Sequence, residues 1–407
     1  MIGLGVVAVK ICRRRFIASG AIAGWLTNMT SSDFALAAGE SLTKAELPTP
    51  ALLVDLDRFE ANLRTMADFC RRASCNLRPH AKTHKCPAIA KRQIAAGAVG
   101  ICAATVPEVE ALVAAGISGV LLTSPIVEPT KIARMTALLA RGSKVMLSIG
   151  HLREAELLAE ACLAAKVEVD VLVDVDVGDH RTGITPGVEA VELARQMERT
   201  NVLHVRGVQA YAGSASHVVG YEARLKTSRE LMAKAVETRS LLNQAGFDAA
   251  TLSGGSTGTY NIDSAMAGMT ELQAGSYVFM DLDYQSIGGR DGAIYKDFQS
   301  SLTVLATVVS TGASDRVSVD AGTKALDTTT SHRPQAVGWP GLQYNRGGDE
   351  FGILKPTEPG VKLPKIGERI EFIVPHCDPT AALYERIYAV RGDRVEEVWP
   401  IHARREN

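Results

Sequence analysis

The sequence predicts an α/β fold, a (β/α)8 barrel of the TIM type followed by a mainly β C-terminal domain. Between residue 77 and about residue 280, short runs of apolar, β-branched residues alternate with longer segments rich in Ala, Leu and Glu. Eight runs alternate with helix-like segments, a pattern typical of parallel strands that close into a barrel. From about Gln299 onward the pattern becomes β-rich, with Gly and Pro between the runs. The active site of such a barrel lies at the carboxyl ends of its strands.

Each element of this fold can be placed on the sequence. The candidate barrel strands are Asn76–Arg78, Gly100–Ala104, Gly119–Thr123, Lys144–Ile149, Glu168–Val175, Val202–Ala210, Ala249–Ser253 and Glu271–Ala274. The helix-like segments between them include Pro107–Ala115, Pro129–Ala140, His151–Ala165, Val188–Thr200 and Tyr221–Ala245. The predicted domains are residues 39–75 (a strand and a helix), 76–295 (the barrel) and 296–407 (the β domain).

Two elements precede the barrel, namely a strand at Ala51–Asp55 and a helix at Asp57–Arg72, and the strand can pair with the β domain. The candidate strands of the β domain are Ser301–Thr311, Arg316–Asp320, Arg369–Val374 and Arg386–Arg391.

Composition excludes several classes of protein. The 407 residues are 46% hydrophobic and 22% charged, which describes a globular chain with an ample core. A net charge of −1 argues against nucleic acid or an anionic membrane as the main partner. The seven cysteines form no C-x-x-C pair, so we interpret them as buried thiols rather than a zinc site or a disulfide framework.

The first 38 residues have the three parts of a secretory signal: a basic region around Arg13–Arg15, a short apolar run from Ala18 to Leu26, and small residues at 35–38. The paired arginines followed by Phe16 resemble a twin-arginine signal, which predicts a periplasmic protein exported after folding. The apolar run is too short to span a bilayer. The alternative is a disordered, amphipathic start of a cytoplasmic protein.

A cluster of cations, L-R-P-H-A-K-T-H-K at residues 77–85, follows the first candidate strand and contains Lys82. A lysine that lies among other cations and is partly desolvated loses its proton more easily, and its neutral amine can form a Schiff base with an aldehyde. A solvated basic loop is the alternative interpretation. Lys82 is therefore a candidate nucleophile if the chain also supplies a cofactor site.

A glycine-rich loop, S-G-G-S-T-G-T-Y at residues 253–260, follows the seventh candidate strand, and Gly275-Ser276-Tyr277 follows the eighth. Glycines allow the backbone to approach an anion closely, and N–H groups and hydroxyls donate hydrogen bonds to it. A phosphate commonly lies between these two loops of a barrel. We therefore predict a phosphate site here, with a flexible Gly/Ser turn as the alternative.

The fifth and sixth candidate strands end in further polar residues. The planar guanidinium of Arg181 can bind a cofactor oxygen or a substrate carboxylate, although a surface ion pair with Asp179 is an equally good interpretation. Gln209 and Tyr211 lie on one side of the sixth strand, where either can face the barrel mouth. Packing of Tyr211 in the fold is the competing view.

In the β domain, P-H-C-D-P at residues 375–379 ends an apolar strand. Residues i and i+2 of a strand share a face, so His376 and Asp378 are expected to bind one cation together. Imidazole plus carboxylate suits manganese or magnesium. A capped turn without metal is the alternative.

Taken together, these motifs resemble the D-threonine aldolase/D-serine dehydratase family, pyridoxal-phosphate enzymes with the alanine racemase-like fold. The resemblance covers the chain from about residue 48 onward. It is carried, in the family's order, by R-P-H-A-K-T-H-K, D-V-G-x-x-R-T-G, S-G-G-S-T-G-T, E-L-Q-A-G-S-Y-V-F-M-D and P-H-C-D.

The resemblance implies roles for individual residues. Lys82 would hold pyridoxal 5'-phosphate, and Lys82 and His376 would be catalytic. The predicted cofactor-binding residues are His80, Lys82, Arg181, Gln209, Tyr211, Gly255, Ser256, Thr257, Gly258, Thr259, Ser276 and Tyr277. His376 and Asp378 would bind the divalent metal. The family also implies a homodimer and a small D-amino acid as substrate.

The residue two positions after His376 is an aspartate, as in the aldolases of the family, whereas the dehydratases tend to have cysteine there. We therefore expect cleavage of a D-3-hydroxy amino acid to glycine and an aldehyde. The alternatives are a dehydratase of D-serine or D-3-hydroxyaspartate, in which Lys82 is the base, a racemase, and a non-catalytic carrier of the cofactor. Phe351 departs from the pattern, because relatives often have histidine there.

Overall fold

The computed structural model of the protein describes residues 42–404, so the predicted export signal lies outside the described residues. Strand β1 (Ala51–Asp55) leads directly into helix α1 (Leu56–Ala73). The carboxylate of Asp55 caps this helix, because it accepts a hydrogen bond from the N–H of Arg58 at 3.0 Å. Buried residues recur every three or four positions along α1, so one face of the helix packs into the core.

The barrel strands are β2 (Asn76–Leu77), β3 (Ile101–Ala103), β4 (Val120–Leu122), β5 (Val145–Ile149), β6 (Val169–Val175), β7 (Leu203–Ala210), β8 (Thr251–Gly254) and β9 (Glu271–Leu272). In the described part of the chain these eight strands form one parallel sheet, in the order β2-β9-β8-β7-β6-β5-β4-β3. Hydrogen bonds from Val99 N–H to Leu77 O and from Cys102 N–H to Pro79 O, both 2.9 Å, join β2 to β3. They close the sheet into a barrel.

Helices surround the barrel and are joined to the strands by short loops. They are α2 (Pro87–Ala95), α3 (Val106–Ala114), α4 (Pro129–Ala140), α5 (Leu152–Ala165), α6 (Val188–Glu198), α7 (Gly213–Ser216), α8 (Tyr221–Gln244), α9 (Tyr260–Asp263) and α10 (Leu282–Ser286). The five helices predicted between strands all form, with ends shifted by at most two residues. Helix α2, which begins at Pro87 directly after the basic cluster, was not predicted.

Successive residues of each barrel strand point to opposite faces. One set, which includes Val120, Leu122 and Leu147, joins the large core between the strands and the helices. The alternate set, Cys102, Leu121 and Leu172, forms a separate small cluster that lies on the other face, inside the barrel. Because both faces are buried, the strands appear in the sequence as nearly continuous apolar runs.

The β domain contains β10 (Leu302–Ala313), β11 (Arg316–Val319), β12 (Gln335–Ala336), β13 (Leu342–Arg346), β14 (Gly352–Pro356), β15 (Arg369–Ile373), helix α11 (Cys377–Ala381), β16 (Arg386–Arg391) and β17 (Arg394–Pro400). Strand β1 pairs antiparallel with β10 and parallel with β16, which confirms that the N-terminal strand belongs to this sheet. Strands β12, β13, β14 and β17 were not predicted. They are short or half-exposed, and pairing with neighbouring strands decides their conformation.

The predicted barrel followed by a mainly β domain is confirmed. The six cysteines within residues 42–404 are all buried and unpaired, as expected for structural thiols. Among the residues described, no helix combines the length and the apolar character needed to cross a bilayer.

Candidate active site

Lys82 lies in a 3-10 turn, Ala81–Thr83, just beyond the carboxyl end of β2. The ring of His80 begins this turn, because its Nδ1 accepts a hydrogen bond from the N–H of Lys82 at 3.3 Å. An ion pair between Lys85 and the buried Glu108 anchors the far end of the turn. The turn therefore directs the Lys82 side chain, which is 40% exposed, toward the barrel mouth.

Lys82 forms an ion pair with an acid, and the charge of a nearby cation, Arg181, acts on it more weakly. Its Nζ lies 3.8 Å from Oδ2 of Asp378 and 5.7 Å from the centre of the Tyr211 ring. Burial lowers the pKa of Lys82, but the charge of Asp378 and the hydroxyl of Tyr211 outweigh burial and raise it above its usual value. The expectation that neighbouring cations would lower this pKa is therefore wrong, because the tertiary structure brings a carboxylate from the β domain to the lysine.

A cavity of about 260 Å³ opens at this end of the barrel. Five predicted residues line it, namely His80, Lys82, Arg181, Gln209 and Tyr211. The polar lining residues that sequence reasoning did not single out as cofactor-binding are Thr123, Ser124, Asp174, Asp176, Asp179, Thr182 and Gln273. Asp176, Thr182 and Gln273 lie within motifs that carried the resemblance, so their position in those motifs was a usable signal.

Tyr211 and Arg181 form one wall of the cavity. The guanidinium carbon of Arg181 lies 5.2 Å from the centre of the Tyr211 ring, within range of a cation–π contact. Asp179 does not take Arg181 as its partner. Its carboxylate instead accepts hydrogen bonds from the N–H groups of Gly213 at 2.6 Å and Ser214 at 2.9 Å, which ties the loop after β6 to the loop after β7.

A chain of buried polar side chains lies deeper in the cavity. The amide nitrogen of Gln209 donates to Oδ1 of Asp174 and to the carbonyl of Thr123, both at 3.0 Å. Gln273 donates to Gln209 at 3.3 Å and to Ser253 at 2.8 Å. Burial raises the pKa of Asp174. Gln209 is thus held in one orientation, with its amide hydrogens committed to protein acceptors.

The glycine-rich loop after β8 has the features of an anion site. Gly255 has φ of +75°, a conformation that favours glycine. Within residues 42–404, the N–H groups of Thr257 and Gly258 donate to no protein acceptor, and the buried Thr257 hydroxyl has no hydrogen-bond partner. Gly275, in the loop after β9, packs closely against the turn that contains Lys82, since a Cβ there would lie 2.6 Å from the Thr83 hydroxyl. Unused donors beside glycines fit a phosphate.

Ser276 and Tyr277, also predicted for this site, differ in where their side chains point. The Ser276 hydroxyl lies 3.4 Å from Oδ1 of Asp378, at the site. The Tyr277 side chain is buried, with its hydroxyl 3.3 Å from the amide of Gln93 and its ring against Phe298. The structure therefore does not bring the Tyr277 side chain to the cavity.

His376 and Asp378 do not lie on one strand, so the prediction that they share a strand face is wrong. Strand β15 ends at Ile373, and His376 precedes helix α11, which already contains Asp378. The two charges still act on each other's pKa, because helix α11 begins directly after His376 and brings Asp378 near it. Oδ2 of Asp281 accepts hydrogen bonds from Nδ1 of His376 at 2.8 Å and from the N–H of Cys377 at 2.9 Å, which holds the turn into the helix.

The charges here are strongly coupled. Burial lowers the pKa of His376, but the hydrogen bond to Asp281 and the charges of Asp281 and Asp378 raise it to about 9. Burial raises the pKa of Asp378, but Lys82 and His376 lower it to about 2. Donor atoms of Asp281, His376 and Cys377 lie within 4.8 Å of one another, an alternative metal set that was not predicted. Burial raises the pKa of the Cys377 thiol, which disfavours a thiolate ligand.

Two further histidines, not singled out in the sequence, flank this group. Asp283 pairs with Nδ1 of His217 at 3.0 Å and with Nε2 of His332 at 3.4 Å. The rings of His217 and His376 have centres 6.5 Å apart. His217 follows β7 and His332 lies in the β domain. Their separation in sequence left no local signal that could have grouped them.

Comparison with known proteins agrees with this architecture. Residues 54–283 match the family model of the alanine racemase N-terminal domain, and residues 301–390 match a putative serine dehydratase domain. A D-threonine aldolase of Arthrobacter sp. is 41% identical, over 88% of this chain and 93% of the relative. A 3-hydroxy-D-aspartate aldolase of Paracoccus denitrificans is 32% identical, over 89% and 94%.

Solved structures give the same result. The crystal structure of D-threonine aldolase from Filomicrobium marinum superposes with a TM-score of 0.85 at 38% identity, covering 89% of this chain and 98% of that one. D-threo-3-hydroxyaspartate dehydratase from Delftia sp. HT23 gives 0.78 at 28% identity, covering 88% and 98%.

The fold and the matching family models therefore put the chain among the pyridoxal-phosphate enzymes with the alanine racemase-like fold. Within that class the chain belongs to the D-threonine aldolase/D-serine dehydratase family, and it is a carbon–carbon lyase of the aldolase type. The resemblance inferred from the motifs is confirmed. The assignment of individual site residues stays a prediction.

Proposed function

We propose that the protein cleaves D-3-hydroxy amino acids of the D-threonine kind to glycine and an aldehyde, using pyridoxal 5'-phosphate and a divalent metal ion. The observation that carries this proposal is the meeting of two sites. Lys82 from the barrel lies 3.8 Å from Asp378, which stands two residues after His376 in the β domain. If Lys82 holds the cofactor and His376 with Asp378 holds the metal, the two groups would lie side by side at the barrel mouth.

The residues present fit the cofactor. The unused N–H groups of Thr257 and Gly258 and the unpartnered Thr257 hydroxyl would hold the phosphate. Lys82 would hold the aldehyde carbon, with Tyr211 and Arg181 beside the ring. When bound, pyridoxal phosphate withdraws electrons from the bonds at the substrate's α-carbon.

The residues also fit a hard or borderline divalent ion, for which manganese or magnesium is proposed. His376 gives its Nδ1 hydrogen to Asp281, so its Nε2 is left to bind the metal together with Asp378. This carboxylate–histidine arrangement is usual behind a metal-binding imidazole. A metal there would lower the pKa of the substrate's β-hydroxyl.

The β-hydroxyl must lose its proton as the Cα–Cβ bond breaks, and His217 is proposed as the group that accepts it. Asp283 binds Nδ1 of His217, so Nε2 is free to take a proton. The ring is perpendicular to that of His376, the proposed metal ligand, and the ring centres are 6.5 Å apart. Lys82 then mainly anchors the cofactor, because cleavage of a carbon–carbon bond requires no base at the α-carbon.

A product assay separates the aldolase from its alternatives. Purified protein is incubated with D-threonine, phenylserine or D-serine, with and without manganese. The aldolase is expected to release glycine and an aldehyde only from the 3-hydroxy acids with a β-carbon substituent. Release of a keto acid and ammonia would instead identify the dehydratase, and racemisation without cleavage would identify a racemase. The absence of any turnover would favour the cofactor carrier.

Two further proposals rest on the sequence and on the family. A homodimer is proposed from the resemblance. Phe351 of the β domain, which is 48% exposed, is an apolar side chain that a second copy would be able to cover. Sedimentation analysis at several concentrations tests this, and a monomer throughout would contradict it.

Periplasmic location is proposed from residues 1–38, and fractionation of cells expressing an Arg13→Lys, Arg14→Lys variant, with the unaltered chain as control, tests it.

A further inference from the structure

A buried carboxylate that the proposed chemistry does not use lies beneath the glycine-rich loop. Asp263, at the end of α9, is 1% exposed. Its Oδ1 accepts a hydrogen bond from the Ser228 hydroxyl and its Oδ2 accepts one from the Thr259 hydroxyl, each at 2.5 Å. Burial raises the pKa of Asp263 to about 6, so the group is ionised above that pH.

An ionised carboxylate can only accept hydrogen bonds, and this fixes the direction of the neighbouring bonds. Thr259 has one hydroxyl hydrogen, and Asp263 takes it. The Thr259 oxygen must then act as an acceptor toward Ser256, whose N–H lies 3.2 Å away and whose hydroxyl lies 3.0 Å away. The charge on Asp263 therefore sets the direction of the hydrogen bonds that run from Ser256 through Thr259 to Asp263.

The hydrogen bonds between Ser256 and Thr259 close a tight turn. The N–H of Thr259 also donates to the carbonyl of Ser256 at 3.3 Å, so Ser256 and Thr259 are bound to each other through both backbone and side chain. Between them, in the described residues, the N–H groups of Thr257 and Gly258 carry no hydrogen bond to protein. Gly255 leaves the space that Asp263 occupies, since a Cβ there would lie 2.9 Å from its Oδ2.

We propose that Asp263 is a positioning residue for the cofactor phosphate. By accepting the Thr259 hydrogen it makes Thr259 hold Ser256, and this keeps the two intervening N–H groups available to the anion. The inference rests on the proposed function only in naming the anion as the phosphate of pyridoxal phosphate.

Charge repulsion and the positioning role predict opposite effects on phosphate binding when the charge of Asp263 is removed. A buried negative charge close to a bound dianion repels it, so removal of the charge alone would tighten phosphate binding. Asp263→Asn removes the charge and keeps the shape, but its NH2 group can only donate, so the side chain can no longer accept from Ser228 and Thr259 together. If positioning dominates, the variant binds the cofactor more weakly. If charge repulsion dominates, it binds more tightly.

The experiment measures the dissociation constant of pyridoxal phosphate for cofactor-free protein, by absorbance and fluorescence titration, together with the thermal midpoint of each cofactor-free variant. Asp263→Asn and Thr259→Val are both expected to weaken binding about tenfold or more. Thr259→Ser, which keeps the hydroxyl, is expected to bind more tightly than Thr259→Val. The matched control is Ser228→Ala, which removes the other partner of Asp263 without touching the loop, and it is expected to change binding by less than about twofold.

The outcomes separate the two levels of the argument. If the unaltered protein does not bind pyridoxal phosphate, the proposed function fails. If it binds but Asp263→Asn binds equally well or better, the positioning role is wrong. Equal losses of affinity in Ser228→Ala and Asp263→Asn, in proportion to their thermal midpoints, would also contradict the proposal, since that is the result of general destabilisation. If Asp263→Asn does not fold, Thr259→Val decides alone, and unchanged affinity would contradict the role.

Discussion

Two sides of the active site were built in different ways. We call Lys82, Arg181, Tyr211 and residues 255–259 the cofactor side, and Asp281, His376, Asp378 and His217 the metal side. Every group on the cofactor side comes from a loop directly after a barrel strand. The metal side combines the barrel and the β domain, and its key turn is held by Asp281, which lies 95 residues from His376 in sequence.

Site residues can be predicted from their position at strand ends only where the strands share one barrel mouth. Such a prediction brings Lys82, Arg181 and Tyr211 of the cofactor side to one cavity, because the carboxyl ends of parallel strands all meet at one mouth. It fails on the metal side, where β15 stops at Ile373 and the chain enters α11 before Asp378. There the two residues are brought together by a turn and a buried carboxylate. The sides also meet, because Asp378 is the charged neighbour of Lys82.

The largest expected effect is on the cofactor side. Lys82→Ala should lose the yellow absorbance of the bound cofactor, and turnover should fall by roughly a thousandfold or more, because the amine that would bind the cofactor aldehyde is removed. Absorbance spectra and product release measure this. Lys91→Ala, at an exposed position on α2, is the control and should behave as the unaltered protein does. Normal absorbance and turnover in Lys82→Ala would disprove the assignment.

On the metal side, Asp378→Ala should reduce manganese-dependent turnover by about a hundredfold, since a metal ligand is lost while the cofactor stays bound. Cys377→Ala tests the alternative metal set and should keep its metal affinity. Metal titration with turnover as readout compares the two variants. If Cys377→Ala loses the metal and Asp378→Ala keeps it, Asp281, His376 and Cys377 form the site instead.

A smaller effect is expected at Asp281, which orients His376 without being a proposed ligand. Asp281→Asn should weaken metal binding by about tenfold to a hundredfold, because the amide is a poorer partner for the imidazole. Cofactor absorbance should be retained. Parallel loss of cofactor and metal would mean that Asp281 supports the fold of both sides and is not specific to the metal side.

The smallest expected effect is a pH dependence of stability that comes from His84, which ends the turn that contains Lys82. His84 is fully buried, and burial lowers its pKa from 6.5 to about 4, while its Nδ1 accepts from the N–H of Cys86. The unfolded chain therefore binds more protons than the folded one between these values. Stability from this group is full above pH 6.5 and is lost as the pH falls toward 4, by at most about 1.4 kcal/mol per pH unit.

Urea unfolding at several pH values measures this slope, and His84→Gln should reduce it. His80 is also buried, with a lowered pKa, so part of the slope is expected to persist in the variant. An unchanged slope would show that His84 is not neutral in the folded protein.

Most of the fold could be predicted because its signals are local. The barrel strands are apolar on both faces and appear in sequence as short continuous runs, and all eight form within a few residues of their predicted ends. Strand β13, L-Q-Y-N-R, has one buried residue in five, so its sequence carries little strand signal. Its conformation depends on pairing with β14.

The sequence alone determined the order of strands and helices, the position of Lys82 after the first strand, and the glycines of the loop after β8. Each depends on residues adjacent in the chain. The tertiary structure decided which charges meet: Asp378 beside Lys82, Asp281 behind His376, and Asp283 between two histidines. The physical reason is that electrostatic energy depends on distance through the fold, and burial amplifies it. A lysine that stands among cations in the sequence therefore has a carboxylate as its neighbour, and its pKa shifts upward.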